Sequence, residues 1–168
     1  MNPLVSIIMG STSDWGVMEE AANFLNEMQI PFEVNALSAH RTPEKVESFS
    51  RMVQQRGIRV IIAGAGMAAH LPGVIAAYTT LPVIGVPIKS SLAGLDAMLS
   101  IIQMPPGIPV ATVGIDASRN AAILAAQIIA LSDPEVAHRL AAFKEGLKEK
   151  VIKADDELKK IKLPYKVD

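Results

Sequence analysis

The sequence predicts an α/β protein: a three-layer αβα sandwich around a doubly wound parallel sheet, with one long helix at the C-terminal end. Short runs rich in β-branched residues alternate with stretches of helical periodicity, the pattern of repeated βαβ units. The links between them are brief and rich in Gly, Ser, Asp and Pro, so each strand turns quickly into a helix. Half of the 168 residues are hydrophobic but only 4% are aromatic. That composition suits the aliphatic core of strands buried on both faces.

Val5-Ser6-Ile7-Ile8-Met9 reads as the first strand. Gly10-Ser11-Thr12-Ser13-Asp14 breaks it, and Val17, Ala21, Phe24, Leu25 and Met28 then recur at helical spacing, with Ser13 or Asp14 suited to the N-cap. The second strand is expected over 31–37. Pro43 suits the first turn of the following helix, whose face carries Val46, Phe49 and Val53 and which Gly57 ends. Arg59–Ala63 is read as the third strand, running into a Gly-rich loop at 64–73 and a helix with Val74, Ile75, Ala77 and Tyr78. Leu81–Val86 is the expected fourth strand, with Pro87–Ser91 as its exit. Leu92–Ile102 reads as helix, 103–107 as a rigid loop, and Ile108–Val113 as a fifth strand. Ala117–Leu131 is apolar nearly all round, so it should be buried on more than one side, with Ser118 as its cap.

From Asp133-Pro134 a single helix is expected to about Lys160, capped by Asp133. Val136, Leu140, Phe143, Leu147, Val151, Ala154, Leu158 and Ile161 form one stripe on it. Some 28 residues at 1.5 Å each would span roughly 42 Å, against a radius of gyration of about 15 Å for a domain of this length. The helix should therefore overhang and pack on a neighbouring subunit. The whole chain, 1–168, is read as one domain, with 1–131 as its α/β core and 133–161 as that helix.

The composition also excludes functions. A net charge of −1 gives no basic field for nucleic acid or an anionic membrane. There are no cysteines, hence no disulfide or thiolate chemistry. No run of about 18 apolar residues could span a bilayer, and Met1-Asn2-Pro3-Leu4 lacks the features of a signal peptide. A cytoplasmic protein acting on a small molecule is the reading that remains.

In a doubly wound sheet, ligands bind beyond the carboxyl ends of the strands, and the chemistry-bearing residues lie there. Ser38-Ala39-His40-Arg41-Thr42-Pro43 exits the second strand and supplies a proton carrier, a planar cation and hydroxyls. Imidazole titrates near neutral pH, as a general acid/base requires, which makes His40 the candidate catalytic residue. Arg41 suits a phosphate because its fork offers paired donors; a surface salt bridge is its plainer alternative. Ser11 and Ser13 flank a helix N-terminus, where backbone N–H groups favour anions, although capping alone uses the same residue types. Asp14 could hold ribose hydroxyls. His70 begins a helix after the Gly-rich loop and is either a pocket residue or an imidazole satisfied by backbone. His138 reads as a surface residue. Gly64-Ala65-Gly66-Met67-Ala68-Ala69 fits the looser dinucleotide fingerprint, but no acid for a ribose follows about twenty residues on, so a close backbone approach to a smaller ligand is preferred. No metal-ligand spacing is present.

Gly10-Ser11-Thr12-Ser13-Asp14-Trp15, Ser38–Pro43, the stretch from Gly64 to Gly73, and Ser100–Val110 with its Gln103-Met104-Pro105-Pro106-Gly107 together resemble the N5-carboxyaminoimidazole ribonucleotide mutase family of purine biosynthesis, over roughly residues 5–131. Met67 stands where many members have Gly. The resemblance implies the flavodoxin-like form of the sandwich and the isomerisation of a carbamate to a C4 carboxylate, without biotin, ATP or metal. It implies His40 as the acid/base, with Ser11, Ser13 and Arg41 on the 5′-phosphate and Asp14 on the ribose. Ser38, Gly66, His70 and Leu71 would complete the substrate site. It also implies a homo-oligomer, typically an octamer. Three alternatives stand beside it: the sister carboxylase that uses free CO2, a non-catalytic nucleotide-binding module, and, on the Gly64 loop alone, a nicotinamide oxidoreductase.

Overall fold

The computed structural model describes residues 2–167. Its strands are β1 (Val5–Met9), β2 (Phe32–Ala36), β3 (Val60–Gly66), β4 (Val83–Ile88) and β5 (Ala111–Thr112). All pair in parallel, in the order β2-β1-β3-β4-β5. The helices are α1 (Trp15–Glu27), α2 (Pro43–Met52), α3 (Leu71–Tyr78), α4 (Leu95–Ile102), α5 (Ser118–Ala130) and α6 (Pro134–Lys159).

Alternation along the strands assigns the two faces, because successive side chains point to opposite sides. Val5, Ile7, Met9, Val60 and Ile62 pack with α1, α5 and the start of α6. Ile8, Ile61, Ala63 and Val83 pack with α2, α3 and α4 on the other side. This is the three-layer, doubly wound architecture expected. The strand order reverses between β1 and β3, and a crevice at their carboxyl ends is the consequence.

Boundaries differ where neighbours decide them. β3 runs on to Gly66, past the glycines that read as loop, because β1 and β4 flank it: Gly64 pairs with Met9 and Gly66 with Ile88. β4 begins two residues later than expected and includes Pro87, opposite Ala65. β5 shrinks to two residues at the sheet edge, where only β4 offers partners.

One expected cap is refined and another corrected. Asp14 occupies the N-cap position of α1 but makes no capping hydrogen bond; a 3-10 turn, Thr12–Asp14, intervenes and is capped by Ser11. Ala117, not Ser118, precedes α5. The buried Ser118 hydroxyl instead donates to the Val17 carbonyl and ties α5 to α1. Asp133 caps α6 as expected, its carboxylate accepting the N–H groups of Glu135 and Val136 at 3.1 Å each.

The 26-residue α6 spans about 39 Å. Val136 is buried, and Phe143 meets Phe24 edge-on at 5.0 Å. Beyond that the stripe leaves the body: Leu147, Val151 and Leu158 are exposed. Among the described residues no helix is long and apolar enough to cross a membrane.

Candidate active site

Four strand-exit loops meet at the carboxyl edge of the sheet around a cleft of about 570 Å³, within the range of small-molecule sites. After β1 the chain turns at Gly10, and the Ser11 hydroxyl accepts the Ser13 N–H (3.2 Å) and the Ser13 hydroxyl (2.9 Å). Ser11, Ser13 and Asp14 line the cleft. Asp14 sits half-buried, and burial raises its carboxyl above the ordinary value. A backbone hydrogen bond at Ser11, the Arg41 guanidinium and the Ser13 side chain oppose that rise without cancelling it.

The loop after β2 is a closed knot of short-range hydrogen bonds. The Thr42 hydroxyl accepts the Ser38 N–H and donates to the Ser38 carbonyl, both at 3.1 Å, while the Thr42 N–H also reaches that carbonyl. The Ser38 hydroxyl in turn accepts the N–H (3.2 Å) and Nε–H (3.3 Å) of Arg41. Arg41 Nη2 donates to the Gly10 carbonyl at 3.3 Å, which joins this loop to the β1 exit. Arg41 makes no salt bridge among the described residues, so its charge is compensated only by polar groups and the field of Asp14.

The β3 exit brings Gly66, Met67, His70 and Leu71 to the same cleft. A side chain at Gly66 would meet the Ile88 carbonyl at 3.1 Å and Ser90 at 3.5 Å, so glycine there lets the β3 and β4 exits lie close. Met67 holds φ +55°, the left-handed region that favours glycine, and its side chain is largely exposed. His70 occupies the N-cap position of α3, and its Nδ1 lies 2.7 Å from His40 Nε2, with the rings edge to face.

From β4, Ile88, Lys89 and Ser90 complete the lining. The Lys89 N–H donates to the Asp116 carboxylate at 2.8 Å, and the Asp116 N–H to the Pro87 carbonyl at 2.8 Å. The sequence reading passed over Asp116, which clamps this loop from φ +57°. Its only trace in the sequence is an Asp in the turn between the fifth strand and the next helix, a residue type that tolerates that conformation.

All nine residues singled out from the sequence thus line one cleft: His40, Arg41, Ser11, Ser13, Asp14, Ser38, Gly66, His70 and Leu71. His138 is exposed on α6, outside it. A slightly larger groove of about 680 Å³ lies at the opposite end of the sheet, between the end of α3 and the approach to β5. It holds no histidine and no charged side chain, so volume alone misidentifies the site. The cleft pairs an anion-favouring loop and a guanidinium with a proton carrier, a set able to fix a phosphorylated ligand and move a proton on it.

Residues 4–150 match the family model described as AIR carboxylase. The chain is 58% identical over 147 residues to the N5-carboxyaminoimidazole ribonucleotide mutase of Pyrococcus abyssi, covering 87% of this chain and 84% of that protein. To the protein of the same name from Bacillus subtilis it is 52% identical over 161 residues, covering 94% and 99%. The crystal structure of Treponema denticola PurE superposes with a TM-score of 0.86 at 36% identity, over 94% of this chain and 99% of that one. With fold and sequence in agreement, the chain belongs to the AIR carboxylase family.

Proposed function

We propose that the chain is an isomerase that converts N5-carboxyaminoimidazole ribonucleotide to 4-carboxy-5-aminoimidazole ribonucleotide, with His40 as the general acid and base. The reading is supported above all by the convergence of the Ser11/Ser13 loop, Arg41 and His40 on one cleft, alongside curated relatives that carry the mutase name. Ser11, Ser13 and Arg41 hold the 5′-phosphate, Asp14 the ribose, and Ser38, Gly66, His70 and Leu71 border the imidazole.

The proton bookkeeping closes on one residue. His40, as imidazolium, gives a proton to the exocyclic nitrogen while the N–C bond of the carbamate breaks and CO2 departs. The electron-rich C4 carbon then attacks that CO2, forming the new C–C bond. Neutral His40 removes the C4 proton, which restores the aromatic ring and the imidazolium. Holding CO2 beside the ring makes recapture effectively intramolecular. The apolar wall formed by Ala39, Ala65, Ala68 and Ile88 suits a small uncharged intermediate. The reaction is redox-neutral and its protons balance.

Residues 1–131 act as the catalytic core and 133–161 as an association helix in a homo-oligomer, an octamer by family resemblance, working in the cytoplasm. The family description names a carboxylase whereas the Pyrococcus abyssi and Bacillus subtilis relatives are named mutases, so the test separates the two. Purified protein is given the carbamate substrate labelled with carbon-13 and followed by NMR, in parallel with aminoimidazole ribonucleotide plus bicarbonate. Label appearing on C4 from the carbamate without added bicarbonate is expected. Turnover only in the second arm would replace the mutase reading with the carboxylase one.

A further inference from the structure

The two imidazoles in the cleft constrain each other. His40 Nε2 and His70 Nδ1 are 2.7 Å apart, with ring centroids 4.9 Å apart and planes at 75°, so a proton lies between them. A neutral imidazole has one N–H and one lone pair; an imidazolium has two N–H groups and no lone pair. The proposed reaction takes His40 through both forms. As imidazolium, His40 can only donate from Nε2, so His70 Nδ1 must accept and the proton of His70 must sit on its Nε2.

We propose that His70 is a positioning residue that accepts the Nε2–H of His40 in both of its protonation states. That leaves Nδ1 of His40 as the nitrogen that exchanges a proton with the substrate. Elsewhere a carboxylate or a backbone carbonyl usually fixes a functional histidine's tautomer. Among the described residues no such oxygen bonds His40, and the His70 ring takes that place. Among the described residues Nδ1 of His40 makes no hydrogen bond, which leaves it available to a ligand. The ring of His70 is held by its backbone: the His70 N–H donates to the Ala68 carbonyl at 2.8 Å, and its own carbonyl accepts the Val74 N–H at 2.9 Å as the first turn of α3.

This rests on the mutase reading for the cycle of His40, and the test separates the two. Ring nitrogens of the uniformly nitrogen-15-labelled protein are observed by NMR in the wild type, His70→Ala and His70→Asn, at a pH where His40 is neutral. Asn keeps a polar atom close to the position of Nδ1. The wild type is expected to hold His40 as the Nε2–H tautomer, and His70→Ala to lose that preference. With the carbamate substrate, His70→Ala should lower kcat on the order of 10- to 100-fold, as misplacement of a reacting group does. KM should move less than kcat, and His70→Asn should recover most of the loss in kcat. Wild-type His40 found as the Nδ1–H tautomer, or an Ala variant with unchanged kcat and a raised KM, would overturn the proposal and leave His70 as a border of the substrate site with no hold on His40. If the carbamate is not turned over at all, the mutase reading fails, while the ring spectra still decide how the pair is arranged.

Discussion

His40 owes its position to a loop whose own polar groups are consumed internally. Ser38, Arg41 and Thr42 bond to each other and to Gly10, so the imidazole is delivered to the cleft without a core contact of its own. His40→Asn should therefore fold with an unchanged melting temperature and lose kcat by roughly 10²- to 10⁴-fold, the usual worth of general acid–base catalysis, in the same NMR assay of C4 carboxylation. If Arg41 holds the phosphate as proposed, Arg41→Ala removes a charge-assisted contact worth about 1.5–3 kcal/mol, so KM should rise by at least tenfold with a smaller fall in kcat. Asp14 links the site to stability. Its carboxyl is raised chiefly by burial, so just above the ordinary carboxylate value the folded state keeps a proton that the unfolded chain has lost. Stability falls as pH rises through that window. Asp14→Asn cannot ionise, and its melting temperature should match the wild type at acid pH and exceed it at neutral pH. A wild-type profile parallel to that of the variant would remove this account.

At the scale of elements, sequence signals held where a local interaction decides the outcome and slipped where a neighbour does. Asp133 and Pro134 start α6 by local chemistry alone, a carboxylate on two free N–H groups and a ring needing no donor. Asp133→Ala should cost about 1 kcal/mol of unfolding free energy, on the cost of losing a cap, read from denaturant midpoints at unchanged slope. By contrast the third strand reads as ending at Ala63, yet it continues to Gly66 because β4 pairs with it that far, while β1 leaves it at Gly64. The fifth strand reads as six residues and keeps two, since one edge partner supports less. Ser118, a plausible cap by type, bonds instead to a carbonyl 101 positions away on α1.

At the scale of the whole molecule, the distal half of α6 carries an apolar stripe that the described residues leave exposed. Val151 is 70% exposed and Leu158 60%. Association of copies through this stripe is the most economical way to bury it. Removing residues 147–168 should leave a folded core, because the packed contacts of α6 lie at Val136, Leu140 and Phe143. Light scattering after size exclusion should then report a smaller assembly than for the full chain. An unchanged mass would count against this stripe as a contact between copies and turn attention to the exposed Leu92, Leu95 and Leu99.

The sequence by itself determined the layer architecture, the order of elements, the capped start of α6 and which loops carry the cleft-lining residues. Each of those depends on hydrophobic period, turn chemistry or motif, all of which act over a few residues. Tertiary structure alone decided how the site residues are arranged. His40 and His70 lie thirty positions apart, on the exits of β2 and β3 with β1 between them, and only the folding of both loops over that strand brings Nε2 and Nδ1 within 2.7 Å. The hold of Arg41 on the Gly10 carbonyl and the clamp of Asp116 on the Lys89 loop are of the same kind. Each joins segments that no local pattern relates, and each exists because a parallel sheet collects its exits along one edge.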